Sequence, residues 1–253
     1  MDKVTLCAPA IRAHQWKNLD DDMVSILTNK TSRVVQVGRN VIGQVVQDDK
    51  WLAFTPDRLR GRFATRKEAV EWVKLMHDNP EAAKHLTRLR SVEGPRGTTA
   101  ARNSYTAADT DGGFFDVLKA FAEGLGYTIS DRPCRGRATR LWGSIRYFSK
   151  WIMVLPHESS LIRAAVLCHE IAHHFEYETE TKFSGNSTRE PVIEAVSCAI
   201  MHDFGLDTLR FSSSYFRERA GKRTGFADGR LDKHFCVVYS KFSEELAKFL
   251  STR

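Results

Sequence analysis

The thirteen residues VLCHEIAHHFEYE, from Val166 to Glu178, constrain this chain more than any other stretch. Helical spacing is expected from Leu161 to about Tyr177, with Ser159 and Ser160 as capping residues. His169 and His173 then stand four apart and share one helix face. An apolar stretch, KWIMVLP, precedes this helix and reads as a strand. TREPVIEAVSCAIMHDFGLDT follows it and predicts a second helix, from about Arg189 to Phe204. Asn186, Ser187 or Thr188 would cap that helix, Pro191 fits in its first turn, and Gly205 ends it.

The residue types in this pattern point to metal chemistry. HEIAH is an HExxH sequence, in which two imidazoles one turn apart can reach one ion. Glu170 points in a neighbouring direction, where it can act as general base toward a water on the ion. A catalytic zinc usually takes three protein ligands. The following helix offers Glu190 and Glu194, again four apart. Glu190 is assigned as the third ligand, and Glu194 as the hydrogen-bond acceptor of a ligand imidazole. The reverse assignment stays open. The His/His/Glu set favours zinc, although iron, cobalt and nickel accept the same donors. His174 and Cys168 point away from the ligand face and read as packing residues. His202 lies too far along its helix, and His157 falls in the preceding loop. Tyr215 and His234 are candidates for stabilising a developing oxyanion, with neither favoured.

The rest of the chain reads as α+β. The stretch 91–113, SVEGPRGTTAARNSYTAADTDGG, reads as a linker. It divides a module at 1–90 from a domain at 114–253. In the first part, SRVVQVG and IGQVVQD predict a strand pair and WLAFTP a third strand. FATRKEAVEWVKLMHD predicts a helix capped by Thr65. The sum is a small β-β-β-α module, and Arg58, Arg60, Arg62 and Arg66 form a basic rim that could meet a partner. In the second part the sequence predicts a helix over Phe114–Gly126, a short strand at YTIS, and a hairpin at GSIRYFSKWIMVLP turning at Ser149–Lys150. A final amphipathic helix is expected over Leu231–Leu250.

The formal charge is +7 and is unevenly placed. Asp131–Lys150 carries six basic residues and one acidic, and Leu209–His234 seven basic and three acidic. Such surfaces attract nucleic acid or acidic protein segments, but no known nucleic-acid motif accompanies them, so a solvated surface is the simpler reading. The five cysteines are scattered, with no CxxC pair, which suits reduced thiols in a cytoplasm. No apolar run approaches the roughly 18 residues of a membrane span, and the first residues hold no apolar core of a secretory signal.

HEIAHHF, then REPVIEAVSCAIMHDFGLDT, then SSSYF resemble the ImmA/IrrE-type metallopeptidases and the related domains of plasmid and phage ArdC-type antirestriction proteins. The resemblance covers roughly residues 126–250. It implies a zincin-like (gluzincin) fold holding zinc, with His169, His173 and Glu190 as ligands and Glu170 as the catalytic glutamate. The pattern departs at Val192, where a second acidic residue is common. The resemblance also implies that the strand before the active helix pairs with an extended peptide. The expected function is a zinc-dependent endopeptidase acting on a protein substrate. The alternative is a regulatory or antirestriction factor whose zinc domain mainly binds DNA or a DNA-bound protein.

Overall fold

The computed structural model describes residues 4–7, 32–37, 40–57, 59–91, 106, 108–132, 142–157, 159–180, 186–209, 211–212, 229 and 231–252. The fold is mixed α+β, and the chain divides into two compact units. The first comprises Met1–Val92 with Arg223–Lys233, and the second Glu93–Lys222 with His234–Arg253.

In the first unit, β1 (Val4–Cys7), β2 (Ser32–Val37), β3 (Asn40–Gln47), β4 (Trp51–Phe54) and β5 (Arg60–Phe63) form an antiparallel sheet in sequential order. A register irregularity falls between Val35 and Gln36. Two helices follow, α1 (Arg66–Asp78) and α2 (Pro80–Ser91). Thr65 caps α1 through a complete capping box with Glu68. The helix lays Ala69, Trp72, Val73 and Met76 inward and packs on β3, β4 and β5. It comes so close at Gly43 that any side chain there would run into Val73. The expected three strands and one helix are thus five strands and two helices. β5 escapes the strand pattern because Arg60 and Arg62 face solvent. α2 escapes because Pro80 reads as a stop, whereas at a first helical position proline is well placed. Of the basic rim, Arg60, Arg62 and Arg66 are exposed, and Arg62 pairs with Asp49. Arg58 lies outside the described residues.

The segment Arg223–Lys233, expected to belong with the C-terminal domain, clusters with this first unit. Its anchor is Asp232, fully buried, which accepts hydrogen bonds from Trp72 Nε1 at 2.7 Å and Arg90 Nη2 at 2.6 Å. Most of the expected linker, 92–105 and 107, lies outside the described residues.

The second unit contains α3 (Phe114–Gly124), β6 (Thr128–Ser130), β7 (Gly143–Arg146), β8 (Trp151–Val154), α4 (Ser160–Glu178), α5 (Asn186–Asp203) and α6 (Asp232–Ser251, from His234 onward in this unit). Its sheet has the order β6-β8-β7, with β6 parallel and β7 antiparallel to β8. β8 is therefore the middle strand, paired on both edges, and cannot take up a peptide. β7 lies at the end of the described sheet.

α4 is the axis of this unit. Ser159 caps it by accepting from the Ile162 amide at 3.3 Å. Nearly every residue from Leu161 to Glu176 is buried, because α3, α5, β7 and β8 surround it. Phe121, Phe175 and Phe242 stack beside it in one aromatic core. α5 begins at Asn186, earlier than the expected Arg189. Pro191 therefore lies past the first turn and gives up the bond to the carbonyl of Ser187. Among the described residues, no helix is long and apolar enough to cross a membrane.

Candidate metal centre

Three side chains converge where α4 meets α5. His169 Nε2 lies 3.6 Å from Glu190 Oε2, and His173 Nε2 lies 3.7 Å from Glu190 Oε1. The three ligand atoms fall within 4.8 Å of one another, and the group is buried or half-buried. The helical spacing accounts for the histidines. Four residues apart on α4, their rings meet edge to face at 4.8 Å between centroids.

The surroundings supply the orienting contacts. Nδ1 of His169 donates to Glu194 Oε2 at 2.8 Å, which leaves Nε2 for a cation. Glu194 is one turn beyond Glu190 on α5 and is 3% exposed. Nδ1 of His173 faces Glu176 Oε2 at 3.6 Å. Glu176 in turn binds Arg189, whose Nε donates to Oε2 at 2.8 Å. Glu170 is also buried, and the start of β7 lies against it. A Cβ on Gly143 would sit 2.7 Å from Glu170 Oε1 and 2.6 Å from Val166 Cγ1.

Electrostatics favour a positive charge at the convergence. Burial pulls the His169 imidazole down, but hydrogen bonds to Glu190 and Glu194 outweigh it and raise the group to about 10. Burial lowers the His173 imidazole. Burial also raises the Glu170 carboxyl to about 7, against the pull of His169. A carboxylate in that range can both accept and return a proton near neutral pH.

The donor set fits a divalent cation such as zinc. Ligands about 2.0–2.1 Å from a tetrahedral zinc ion lie about 3.3 Å from one another, close to the spacings between Glu190 and the two rings. Buried carboxylates are costly without a counter-charge. A bound cation supplies one and displaces the His169 proton.

Of the residues singled out in the sequence, the structure brings together His169, His173 and Glu190, with Glu194 behind His169 and Glu170 beside them. His234, on α6, is half-buried and is not one of the three converging residues. Tyr215 lies outside the described residues. His174 is buried, its Nδ1 3.1 Å from the Tyr127 hydroxyl. Cys168 is buried too, with Sγ 3.7 Å from the Ser197 carbonyl, and burial pushes its thiol well up. His157 Nδ1 accepts from the Ser159 amide, and His202 is exposed. Sequence reasoning missed Glu176, Arg189, Tyr147 and Gly143. Only Glu176 carried a signal, three residues past His173 and so on the same helix face.

Comparison with protein-family models, curated proteins and solved structures finds no match for this chain.

Proposed function

We propose that the second unit is a zinc-dependent metallopeptidase domain of zincin-like, gluzincin type, resembling the ImmA/IrrE group, and that it cleaves a peptide bond in a protein substrate. The observation that carries this reading is the convergence of His169, His173 and Glu190, with Glu170 at their side and Glu194 orienting His169. His169 and His173 would hold zinc through Nε2, and Glu190 through its carboxylate. Zinc in such a site supplies Lewis acidity that polarises a carbonyl and makes water acidic near neutral pH.

The chain's own groups perform the proton transfers. Glu170 takes one proton from the attacking water as the new C–O bond forms. It then delivers that proton to the leaving amine nitrogen as the C–N bond breaks, and returns to the carboxylate. An extended substrate would add to β7, the end strand, with backbone hydrogen bonds fixing its register. Gly143 places the start of that strand against Glu170. The buried cysteines Cys168, Cys198 and Cys236 suit work in a reducing, cytoplasmic setting.

The test is Glu170→Gln in the full chain, with cleavage of a peptide library and zinc content measured together. The variant is expected to lose at least about a hundredfold in cleavage while keeping its zinc. Biological activity that survives Glu170→Gln would instead favour the DNA-linked binding function.

A further inference from the structure

His173 carries a polar atom with an unmet need. Its Nδ1 is buried and has no hydrogen-bond partner. The carboxylate facing it, Glu176 Oε2, is 3.6 Å away, longer than a hydrogen bond allows. That oxygen is held from the other side by Arg189, through Nε at 2.8 Å and Nη2 at 2.5 Å. The same Nη2 donates to the Tyr147 hydroxyl at 2.5 Å. Tyr147 opens the turn between β7 and β8 and stacks on Tyr177 at 4.7 Å, one residue past Glu176. Groups from α4, α5 and the turn thus form one chain of contacts ending at His173. Arg189 also directly precedes Glu190, so the hold on Arg189 bears on that carboxylate too.

We propose that Glu176, Arg189 and Tyr147 are positioning residues for His173, and that they make the β7–β8 turn part of the metal centre. The inference rests on the reading of His169, His173 and Glu190 as ligands. A histidine that ligates through Nε2 carries its hydrogen on Nδ1. A buried N–H without an acceptor is costly. A closure of roughly 0.6 Å would bring Nδ1–H onto Glu176 at hydrogen-bond length. Arg189 grips Glu176 through two nitrogens and keeps that acceptor aimed. The Tyr147 hydroxyl gives Arg189 its second acceptor and fixes the guanidinium plane. Each ligand histidine would then have its own carboxylate, Glu194 for His169 and Glu176 for His173.

The experiment measures zinc affinity of the full chain by competition with a chromophoric chelator, beside the visible spectrum of the cobalt-loaded protein. Wild type, Glu176→Ala, Glu176→Gln and Tyr147→Phe are compared, with the unfolding midpoint of each metal-free protein as a control for folding. Glu176→Ala is expected to bind zinc about 10–100-fold more weakly, with an altered cobalt spectrum. Glu176→Gln should lose less, because its amide oxygen still accepts from Nδ1, and it decides the matter if the alanine variant does not fold. Tyr147→Phe should weaken zinc a few-fold, and an unchanged value would remove the turn from the proposal. Wild-type affinity and spectrum in both Glu176 variants would overturn the inference while leaving the metal reading intact. A wild type that binds no zinc would overturn both.

Discussion

Glu194 sits behind His169, its Oε2 2.8 Å from Nδ1, while Nε2 of the same ring lies 3.6 Å from Glu190 Oε2. One ring thereby meets both glutamates of α5 through different nitrogens. The helix repeat makes this possible, because residues four apart lie one above the other along the α4–α5 contact. Glu194→Ala should therefore keep zinc binding but weaken it about 10–100-fold, read by chelator competition. An affinity equal to wild type would mean that Glu194 does not orient the ring.

Gly143 leaves room for the Glu170 carboxylate. A methyl group there would stand 2.7 Å from Oε1 and 2.6 Å from Val166, so the strand or the glutamate must shift. Displacing a general base by even an ångström is costly to rate. Gly143→Ala is expected to lower cleavage about a hundredfold with zinc content unchanged. Full activity in that variant would show that β7 does not set the position of Glu170.

Asp111 anchors the start of α3. It accepts from the Phe115 amide at 2.5 Å and from the Ser160 hydroxyl at 2.8 Å, replacing the side-chain cap that Gly113 cannot provide. Burial raises its carboxyl, but these donors outweigh burial and hold it below the usual carboxylate value. A depressed carboxyl stabilises the fold above its unfolded pKa of about 3.9, and that contribution is lost as pH falls through the folded value. Asp111→Ala should cost about 1–2 kcal/mol at neutral pH, with the difference from wild type shrinking in acid. Urea titrations at several pH values measure this, and a gap that widened in acid would have the wrong sign.

In the first unit, Asp232 neutralises Arg90 and accepts from Trp72. Asp232→Ala removes one partner of a largely buried pair and strands the other. A loss of about 3 kcal/mol is expected in the urea unfolding of the full chain. A loss below about 1 kcal/mol would mean that this segment is not anchored through Asp232.

Much of this was legible from periodicity and spacing. α1, with Thr65, and α4, with Ser159, start where their capping residues say, because those signals are local. The convergence of His169, His173 and Glu190 was legible for the same reason, since turns of two helices fix it. What was hidden depends on contacts distant in sequence. Asp232 finds Trp72 and Arg90 across most of the chain, and nothing in RLDKH announces it. β8 looked like an edge strand, but YTIS pairs with it in parallel across a separation that no local pattern records. Tyr147 and Arg189 meet only once the hairpin is folded beside α5.

The most direct measurement is zinc content per chain in the purified wild type, Glu190→Ala and Glu194→Ala proteins. One zinc per wild-type chain, lost in Glu190→Ala and largely retained in Glu194→Ala, is the predicted result. Zinc retained in Glu190→Ala and lost in Glu194→Ala would exchange the two roles, and a wild type that takes up no zinc would contradict the metal centre itself.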